Sequence, residues 1–411
     1  MNILLLTQYY WPEPFTINSL SELLVEQGQA VDVLTGKPNY PEGIVYDGYS
    51  ISGLQIENKG SINIYRIPIV PRGNKSPTKL ALNYFSFILS SCLFAPFILR
   101  KRHYDVIFVY APSPILQAIP AIFLARIKKC SVVLWVQDLW PQSLESTGYV
   151  KNVVVLNIIK KVVKFIYSNV TILLVQSKEF IPSVVELAGD TPVIYHPNSV
   201  DSSFNLSPSM KELPLVDGLD EGFPIIFAGN IGAGQGIEVI VEAAKLLRAY
   251  PHIKFVIFGT GSQWDWLSSQ VKEFGLSNLY LPGRFPMDRM AGFMQKASAL
   301  LITLADKPNF NLTVPNKLQA YMAIGKPILA SINGAGARLV NESRSGLVSD
   351  AGNAITLSEN ILAIFNMTAQ ERLQMGENAL QYYDENFDGK KLVKKLITYF
   401  NDAATIRKDI R

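Results

Sequence analysis

A lysine near the start of a predicted helix is the first residue whose type and position suggest chemistry. The stretch TVPNKLQAYMAIGKPILAS, residues 313–331, predicts a helix that begins near Thr313 to Pro315, ends at Gly325 and leads into a strand. Lys317 lies in its first turn, where the helix dipole disfavours a cation. The free N–H groups of such a turn bind anions, and a lysine beside them adds positive charge. The alternative is a lysine whose stem packs on the sheet while its ammonium reaches solvent.

Two glycine-rich turns follow predicted strands upstream of this helix. The strand PIIFAGN (224–230) precedes IGAGQG (231–236), and FGTGSQW (258–264) repeats the pattern. Such turns let backbone N–H groups approach an anion, although the spacing matches neither GxGxxG nor GxxxxGK[ST], and a tight structural turn is the alternative. Because three such features meet at one sheet edge, we predict a diphosphate site. Its candidate residues are Gly229, Asn230, Gly232, Gln235, Gly259, Gly261, Val314, Pro315, Asn316 and Lys317.

Carboxylates also follow two predicted strands in the first half of the chain. Asp138, in QDLWPQS, comes after SVVLWVQ, is flanked by Trp135 and Trp140, and is a candidate general base or polar anchor. The equally open alternative is an aspartate that caps the next segment. Glu13, in WPEP, ends the first strand similarly, and we expect Glu13 and Trp140 to contact an acceptor.

Composition narrows the class of protein. Of 411 residues, 48% are hydrophobic and 18% charged, which excludes a disordered chain. The net charge of +4 does not argue for nucleic-acid binding. Cys92 and Cys130 lie in apolar surroundings, which fits a reduced compartment, and no cluster predicts a metal site. The opening residues MNILLLTQYYWPE lack the features of a signal peptide, so we expect a cytoplasmic protein.

Short β-branched segments alternate with helical patterns along the chain. This alternation predicts two doubly wound α/β domains, with ligands in the cleft between them. We place the first domain at 1–201, a linker rich in Ser, Pro, Asp and Gly at 202–222, and the second domain at 223–389.

A second set of expectations concerns a membrane. Residues 80–99 form an uncharged run of 20 residues, about long enough to span a bilayer. We expect a helix half buried in its domain and half facing a membrane interface, while a spanning helix and a plain core helix remain alternatives. Arg100, Lys101 and Arg102 follow it, and Lys160, Lys161 and Lys164 lie on a second apolar helix, 151–169. These are the candidate contacts with anionic headgroups.

Taken in chain order, six motifs resemble family 4 glycosyltransferases of the GT-B fold over nearly the whole length. They are YYWPEP, GQAVDVLTGKPNYPEG, QDLWPQSL, HPNSVD, GNIGAGQGIEVIVEAA and NKLQAYMAIGKPILAS. The PNYP and QDLWP segments are similar to the bacterial branch that builds O-antigen, a part of lipopolysaccharide, and capsule repeats, including N-acetyl-L-fucosaminyltransferases.

The resemblance implies an enzyme that moves a sugar from a nucleotide diphosphate, here UDP, to a saccharide on undecaprenyl diphosphate at the inner membrane surface. The candidate sugar is N-acetyl-L-fucosamine or a related N-acetylated deoxyamino sugar, and neither metal nor cofactor is implied. The donor would lie on the second domain and the acceptor on the first. Gly283, Arg284 and Phe285 would contact the nucleobase of the donor. A last helix, 390–411, would cross back to the first domain.

The chain departs from this family at several site positions. Asn230 and Gln235 stand where many relatives carry Arg and Lys, so Lys317 and Arg284 would carry more of the phosphate binding. The paired glutamates of the family fall on Leu312 and Ala320, which leaves Gln319 as the candidate that holds hydroxyls. Two rival functions follow: a nucleotide-sugar epimerase of the same fold, and a non-catalytic membrane-associated scaffold.

Overall fold

The chain forms two compact units, each built on its own parallel sheet. The structure is a computed structural model that describes residues 1–73, 76–146, 150–200 and 213–409, with side chains up to residue 406. Unit 1 comprises Met1–Pro197 and Gly389–Arg411, and unit 2 comprises Asn198–Asp388. Most of the expected linker, residues 202–212, lies outside the described residues.

Unit 1 contains an eight-stranded sheet with the order β3-β4-β2-β1-β5-β6-β7-β8. All neighbouring strands are parallel except β3 and β4, which form an antiparallel pair at one edge. The strands are β1 Asn2–Leu6, β2 Ala30–Gly36, β3 Gln55–Lys59, β4 Ile62–Ile67, β5 Val106–Ala111, β6 Ser131–Val136, β7 Ile172–Val175 and β8 Val193–Tyr195.

Among the described residues, six α-helices accompany this sheet before the chain enters unit 2. They are α1 Ile17–Glu26, α2 Pro77–Ile98, α3 Ala118–Lys128, α4 Gln142–Ser146, α5 Val153–Ser168 and α6 Ile181–Ala188. The order of the strands reverses between β1 and β5, so the loops that follow these two strands diverge and leave a crevice at the carboxyl edge of the sheet.

Unit 2 has a six-stranded, all-parallel sheet with the order β11-β10-β9-β12-β13-β14. Its strands are β9 Phe223–Ala228, β10 Ile253–Phe258, β11 Leu279–Gly283, β12 Ala299–Thr303, β13 Ile328–Ser331 and β14 Gly346–Ser349. Its helices are α7 Glu238–Leu246, α8 Trp264–Glu273, α9 Met287–Gln295, α10 Pro308–Leu312, α11 Asn316–Ile324, α12 Gly334–Ser343, α13 Ala354–Asn366 and α14 Ala369–Asn386. Here the strand order reverses between β9 and β12.

The last helix, α15 Gly389–Asp409, returns to unit 1 and packs on its sheet. Val393, Leu396 and Phe400 are fully buried there, and the ring of Phe400 lies 5.1 Å from that of Phe108 on β5. The Ser131 hydroxyl on β6 also donates a hydrogen bond of 2.6 Å to the carbonyl of Ala403.

The expected class, two doubly wound α/β domains, is confirmed by these two sheets. The sequence patterns did not reveal three strands. The β3–β4 hairpin was missed because β3, QIENK, is short, polar and mostly half-exposed, and β14 was missed because it has only four residues. Both lie at or next to sheet edges, where burial imposes a weaker pattern.

Candidate functional site

Lys317 lies where three segments of unit 2 meet. Its ammonium is 3.9 Å from the centre of the Phe227 ring on β9 and donates a hydrogen bond to the side-chain carbonyl of Gln235. A Cβ atom built on Gly229 would lie 2.5 Å from Lys317 Cε and 2.9 Å from Nζ. The lysine therefore fills the space that the missing side chain of Gly229 leaves.

No carboxylate neutralises this lysine within the described residues, since none of their ion pairs involves Lys317. An aromatic face and a neutral amide are its partners. Burial lowers the pKa of the Lys317 ammonium to about 7, because the charged form loses hydration that these partners replace only in part. A bound anion would therefore stabilise the charged form of Lys317 more than that of an exposed lysine.

The first turn of α11 adds donors beside the lysine. The predicted helix start is wrong by a small margin: Pro315 has φ −66° and ψ 132°, so it is the extended N-cap residue, and the helix begins at Asn316. Because proline has no side-chain acceptor, no side chain caps α11. The N–H groups of Asn316 and Lys317 therefore point out of the helix without an intrahelical partner. The predicted end is confirmed, with Gly325 in the left-handed region at φ 72°.

The glycine-rich turn after β9 is held tightly. Gln235, which accepts from Lys317, also accepts a hydrogen bond of 2.6 Å at its backbone carbonyl from the Thr303 hydroxyl at the end of β12. The Ala305 N–H donates to the Gly234 carbonyl at 3.1 Å. The turn is thus clamped to the strand on the other side of the point where the strand order reverses.

The turn after β10 packs directly on the first turn. Gly259 has φ +135°, and a Cβ atom there would lie 1.8 Å from the Gly229 carbonyl oxygen, so only glycine fits. The Ile231 N–H donates to the Thr260 carbonyl at 2.9 Å. A Cβ on Gly232 would meet the Asn230 amide at 2.8 Å, and one on Gly261 would meet Asn230 Oδ1 at 2.6 Å. Five predicted residues are therefore close neighbours.

Asn198, which the sequence analysis did not single out as a site residue, orients one of the predicted residues. Its amide donates a hydrogen bond of 2.9 Å to Asn316 Oδ1 in the first turn of α11. Asn198 is buried, and its own side-chain oxygen has no hydrogen-bond partner among the described residues. In the sequence, the only indication of a role for Asn198 was its place in HPNSVD, one of the six motifs that carry the resemblance.

The remaining residues predicted to bind nucleotide differ in accessibility. Gly283 ends β11, Arg284 is exposed, and the half-buried Phe285 ring lies 5.6 Å from Phe258 and 5.0 Å from Phe293. Val314 is buried in the core of unit 2. Gln319 is fully buried, and neither of its amide atoms has a hydrogen-bond partner within the described part of the chain. Its role in holding hydroxyls stays a prediction.

Asp138 follows β6 in unit 1 and is half-buried. Its Oδ2 accepts a hydrogen bond of 2.9 Å from the Ser143 hydroxyl, which ties it to the short helix α4. Burial raises the pKa of the Asp138 carboxyl, and the bond from Ser143 opposes this only in part. A carboxyl with a raised pKa suits a general base. Neighbouring Trp140 is buried, with 6% of its surface exposed.

Glu13 is buried, and its carboxylate accepts hydrogen bonds from backbone N–H groups. Its carboxylate accepts N–H bonds from Tyr10 at 3.1 Å, Asn39 at 2.7 Å and Tyr40 at 2.8 Å. Burial raises the pKa of Glu13 to about 7 despite these bonds. With 1% of its surface exposed, Glu13 joins the loops after β1 and β2 and does not itself face solvent.

Helix α2 has one buried and one exposed side. Asn83, Phe87, Ser91 and Ala95 are fully buried in unit 1. The helix is long and apolar enough to cross a membrane, with a mean hydropathy of 1.6. We name its exposed apolar residues, each 54–73% exposed, the α2 stripe; they are Leu82, Phe85, Leu89, Leu93 and Phe97.

The basic residues predicted to meet a membrane are all exposed, but two have partners. The Arg102 side chain donates to the Tyr65 hydroxyl at 3.1 Å and lies 3.7 Å from Asp32, and Lys160 pairs with Glu186 at 2.8 Å. Arg100, Lys101, Lys161 and Lys164 are exposed at the end of α2 and on α5.

Comparisons with known proteins complete this description. Residues 222–367 match the family model described as "Glycosyl transferases group 1". Over 353 residues, 79% of this chain and 82% of the relative, the chain is 26% identical to WcaI of Escherichia coli (strain K12), named as a glycosyl transferase of colanic acid biosynthesis. It is 27% identical to the glycosyltransferase WbjE of Pseudomonas aeruginosa over 67% of this chain and 70% of that one.

Solved structures share the fold at low identity. Sucrose-phosphate synthase from Thermosynechococcus elongatus aligns over 98% of both chains with a TM-score of 0.72 and 17% identity. Anabaena HepE, solved in complex with UDP, aligns over 98% of this chain and 100% of its own with a TM-score of 0.67 and 13% identity. Together with the family match, these comparisons show that the chain is a transferase enzyme, a glycosyltransferase with the GT-B fold.

Proposed function

We propose that this glycosyltransferase moves a sugar from a UDP-sugar to a saccharide carried on undecaprenyl diphosphate, in the biosynthesis of a cell-surface polysaccharide such as O-antigen or capsule. One observation carries the donor side of the proposal. Lys317, which has no carboxylate partner in the part of the chain that the structure describes, lies at an uncapped helix N-terminus beside the reversal of strand order in unit 2. Such an arrangement suits a diphosphate.

In the proposed reaction, the oxygen of an acceptor hydroxyl forms a bond to the anomeric carbon of the donor sugar. The bond between that carbon and the β-phosphate oxygen breaks, and its electron pair stays on UDP. Lys317 and the N–H groups at the start of α11 stabilise the charge that develops on the leaving diphosphate. The hydroxyl proton passes to a base, for which Asp138 is the candidate because burial raises its pKa.

The other residues of unit 2 position the donor. Gln235 holds the lysine ammonium towards the turn, and the missing side chain of Gly229 leaves room for the lysine itself. Asn198 orients Asn316. Arg284 and Phe285, which follow β11, are the candidates that contact the nucleobase of UDP. We propose that these groups act without a metal ion or a cofactor, since a lysine and helix N–H groups supply the positive charge.

The α2 stripe supports a lipid-linked acceptor and a peripheral position on the inner membrane. Five large apolar side chains more than half exposed along one helix are unfavourable in water, whereas insertion into a headgroup region removes them from it. The opposite side of α2 is buried in unit 1, which favours a helix that lies in the interface. Exposed Arg100, Lys101, Lys161 and Lys164 would meet anionic headgroups.

The name of WcaI and the complex of HepE with UDP support the polysaccharide and the nucleotide, respectively. For the sugar itself, the candidate is N-acetyl-L-fucosamine or a related N-acetylated deoxyamino sugar, on the resemblance of the PNYP and QDLWP segments.

A donor panel tests the proposal. The purified full-length protein is incubated with labelled UDP-, GDP- and TDP-sugars, with and without a lipid-linked saccharide, and the products are separated. We expect transfer from a UDP-sugar that requires the lipid-linked acceptor. Conversion of the donor without an acceptor would instead indicate an epimerase. Melting curves with each nucleotide identify binding without turnover, because a ligand that binds the native state raises the melting temperature; binding without transfer would favour the scaffold.

A further inference from the structure

Four side chains form a cluster at the carboxyl edge of the unit 1 sheet, of which one is buried and three are half-buried. Tyr9 and Phe15 follow β1, Tyr40 follows β2, and Arg72 follows β4. The Tyr9 and Phe15 rings are stacked at 5.3 Å, and Tyr40 lies 5.7 Å and 5.1 Å from them. The Arg72 guanidinium lies 4.9 Å from the centre of the Tyr40 ring. We name these four residues the aromatic platform.

The loops that carry the platform are held rigidly by buried polar contacts. Glu13 accepts the N–H groups of Asn39 and Tyr40, which joins the loop after β1 to that after β2. Asn39 Oδ1 accepts the Arg72 N–H at 3.0 Å, which joins the loop after β2 to that after β4. Such extensive internal bonding pre-organises a surface and lowers the cost of binding a ligand on it.

Arg72 differs from the other arginine near this edge. Arg66 is fully buried and saturated, with contacts to Glu57, to the backbone carbonyls of Gly36 and Trp11, and to the Tyr49 ring. The guanidinium of Arg72 is half-buried and has no hydrogen bond or ion pair among the described residues; its contact is the Tyr40 ring. Its planar donors are therefore free to bind an anion, and phosphate matches their geometry.

The platform is also connected to helix α2, which carries the α2 stripe. Asn83 Oδ1 on α2 accepts from Gln8 Nε2 at 2.5 Å and from the Tyr9 hydroxyl at 3.4 Å, and Asn83 Nδ2 donates to the Val70 carbonyl at 2.6 Å. The stripe begins next to Asn83, at Leu82. Leu82 lies on the exposed side of α2 and Asn83 on its buried side, so the platform packs against the helix that carries the stripe.

We propose that the aromatic platform binds the sugar and the adjoining phosphate of the acceptor, with the sugar ring against Phe15 and Tyr40 and the phosphate on Arg72. The apolar face of a sugar packs well on aromatic rings, and a diphosphate-linked saccharide carries the anion that Arg72 lacks. This inference rests on the proposed function and names the residues that recognise its acceptor.

Kinetics and direct binding test the platform. R72Q keeps the Arg72 backbone bond but removes the charge, R72K retains a charge, and R248Q removes an exposed arginine in unit 2 as the control. Y40A removes a ring, and Y40F keeps it. With acceptor varied at saturating donor, we expect R72Q and Y40A to raise the acceptor KM about tenfold or more, with the donor KM unchanged. R72K should recover part of the loss, Y40F should raise the acceptor KM less than Y40A does because it keeps the ring, and R248Q should resemble the wild type.

Binding is measured separately with a farnesyl-diphosphate-linked N-acetylglucosamine and with N-acetylglucosamine 1-phosphate, so the inference is tested even without turnover. Melting temperatures confirm that each variant is folded. Weaker binding of both probes to R72Q supports a sugar-phosphate site, and loss of the lipid probe alone supports recognition of the lipid-linked diphosphate.

Wild-type transfer with an unchanged acceptor KM in R72Q and Y40A would overturn the platform and leave the proposed function standing. A wild type that binds neither acceptor probe would overturn the platform, and one that also binds no nucleotide would overturn the proposed function.

Discussion

The ammonium group of Lys317 lies 3.9 Å from the centre of the Phe227 ring, so a helix residue rests on the strand that precedes the glycine-rich turn. The ring offers a weak cation site, and Gln235 offers a neutral acceptor. Neither neutralises the charge, which is why burial lowers the pKa of this lysine to about 7. This relationship is the physical basis for assigning a diphosphate to unit 2.

The first prediction concerns turnover. K317Q removes the charge but leaves a side chain of similar length, so we expect kcat to fall about 100-fold or more, the usual effect of losing one group that stabilises a developing charge. Thermal unfolding should show an unchanged or higher melting temperature, because a buried charge is removed. The control is K245Q, at a half-buried lysine on α7 of unit 2 that also packs on an aromatic ring, that of Phe274. Wild-type turnover in K317Q would contradict the role.

The second prediction concerns pH. Because the free protein holds Lys317 with a pKa of about 7, it must take up a proton to bind a diphosphate above that pH. The affinity for UDP should therefore fall as pH rises from 7 towards 9, by up to tenfold per unit, and calorimetry across this range measures it. In K317R the charge persists, and the slope should disappear. An identical slope in K317Q would show that another group titrates.

The stability of the free protein should change with pH in the opposite direction to its affinity for UDP. An unfolded lysine has a pKa near 10.5, so between pH 7 and 10.5 the unfolded chain binds more protons than the native one. The free energy of unfolding should gain a contribution from Lys317 that rises with pH over this window. Comparison of the wild type with K317Q in denaturant titrations isolates that contribution.

The third prediction concerns the packed turns. In G259A the new Cβ would lie 1.8 Å from the Gly229 carbonyl oxygen, at a φ of +135°. We expect a loss of about 3 kcal/mol or more in the free energy of unfolding. The matched control is G352A in the same unit, where φ is +80° but no atom lies within 4 Å of the new Cβ. That change should cost about 1–2 kcal/mol, from backbone strain alone. Equal losses would mean that the two turns separate easily.

The fourth prediction concerns the α2 stripe. The double substitution F85E/L89E places two charges on its exposed side, so we expect binding to vesicles that contain anionic phosphatidylglycerol to weaken at least tenfold. Sedimentation with vesicles of defined composition measures the bound fraction. L246E, at a leucine 54% exposed in unit 2, is the control and should bind as the wild type does. A similar loss in the control would remove the case for a specific membrane surface.

Much of the fold was predictable because long buried strands leave a clear pattern. The strand expected at 224–230 is β9 at Phe223–Ala228, and the helix expected at 80–99 is α2 at Pro77–Ile98. The start of α11 was less certain for a physical reason. Proline restricts φ to about −65°, which suits both helix and extended chain, whereas ψ decides between them and depends on the neighbours.

The site was predictable only where one segment carried the signal. Lys317 and the glycine turns stood out, because a cation at a helix start and clustered glycines are unusual locally. Phe227 did not, since every residue of a buried strand is apolar and the sequence does not tell which one meets the lysine. Arg72 and Tyr40 were missed likewise, because loops after different strands bring them together. Glu13 was expected to face an acceptor. It is instead buried, because its carboxylate binds the N–H groups of Asn39 and Tyr40, which are 26 and 27 residues away in the sequence.

The most direct test of the central claim is a crystal structure of the protein with UDP. If the assignment of the diphosphate to unit 2 is correct, we expect an oxygen of the β-phosphate within about 3 Å of Lys317 Nζ and of the N–H groups that begin α11. UDP bound elsewhere, with the Lys317 ammonium still on Phe227 and Gln235 alone, would contradict it.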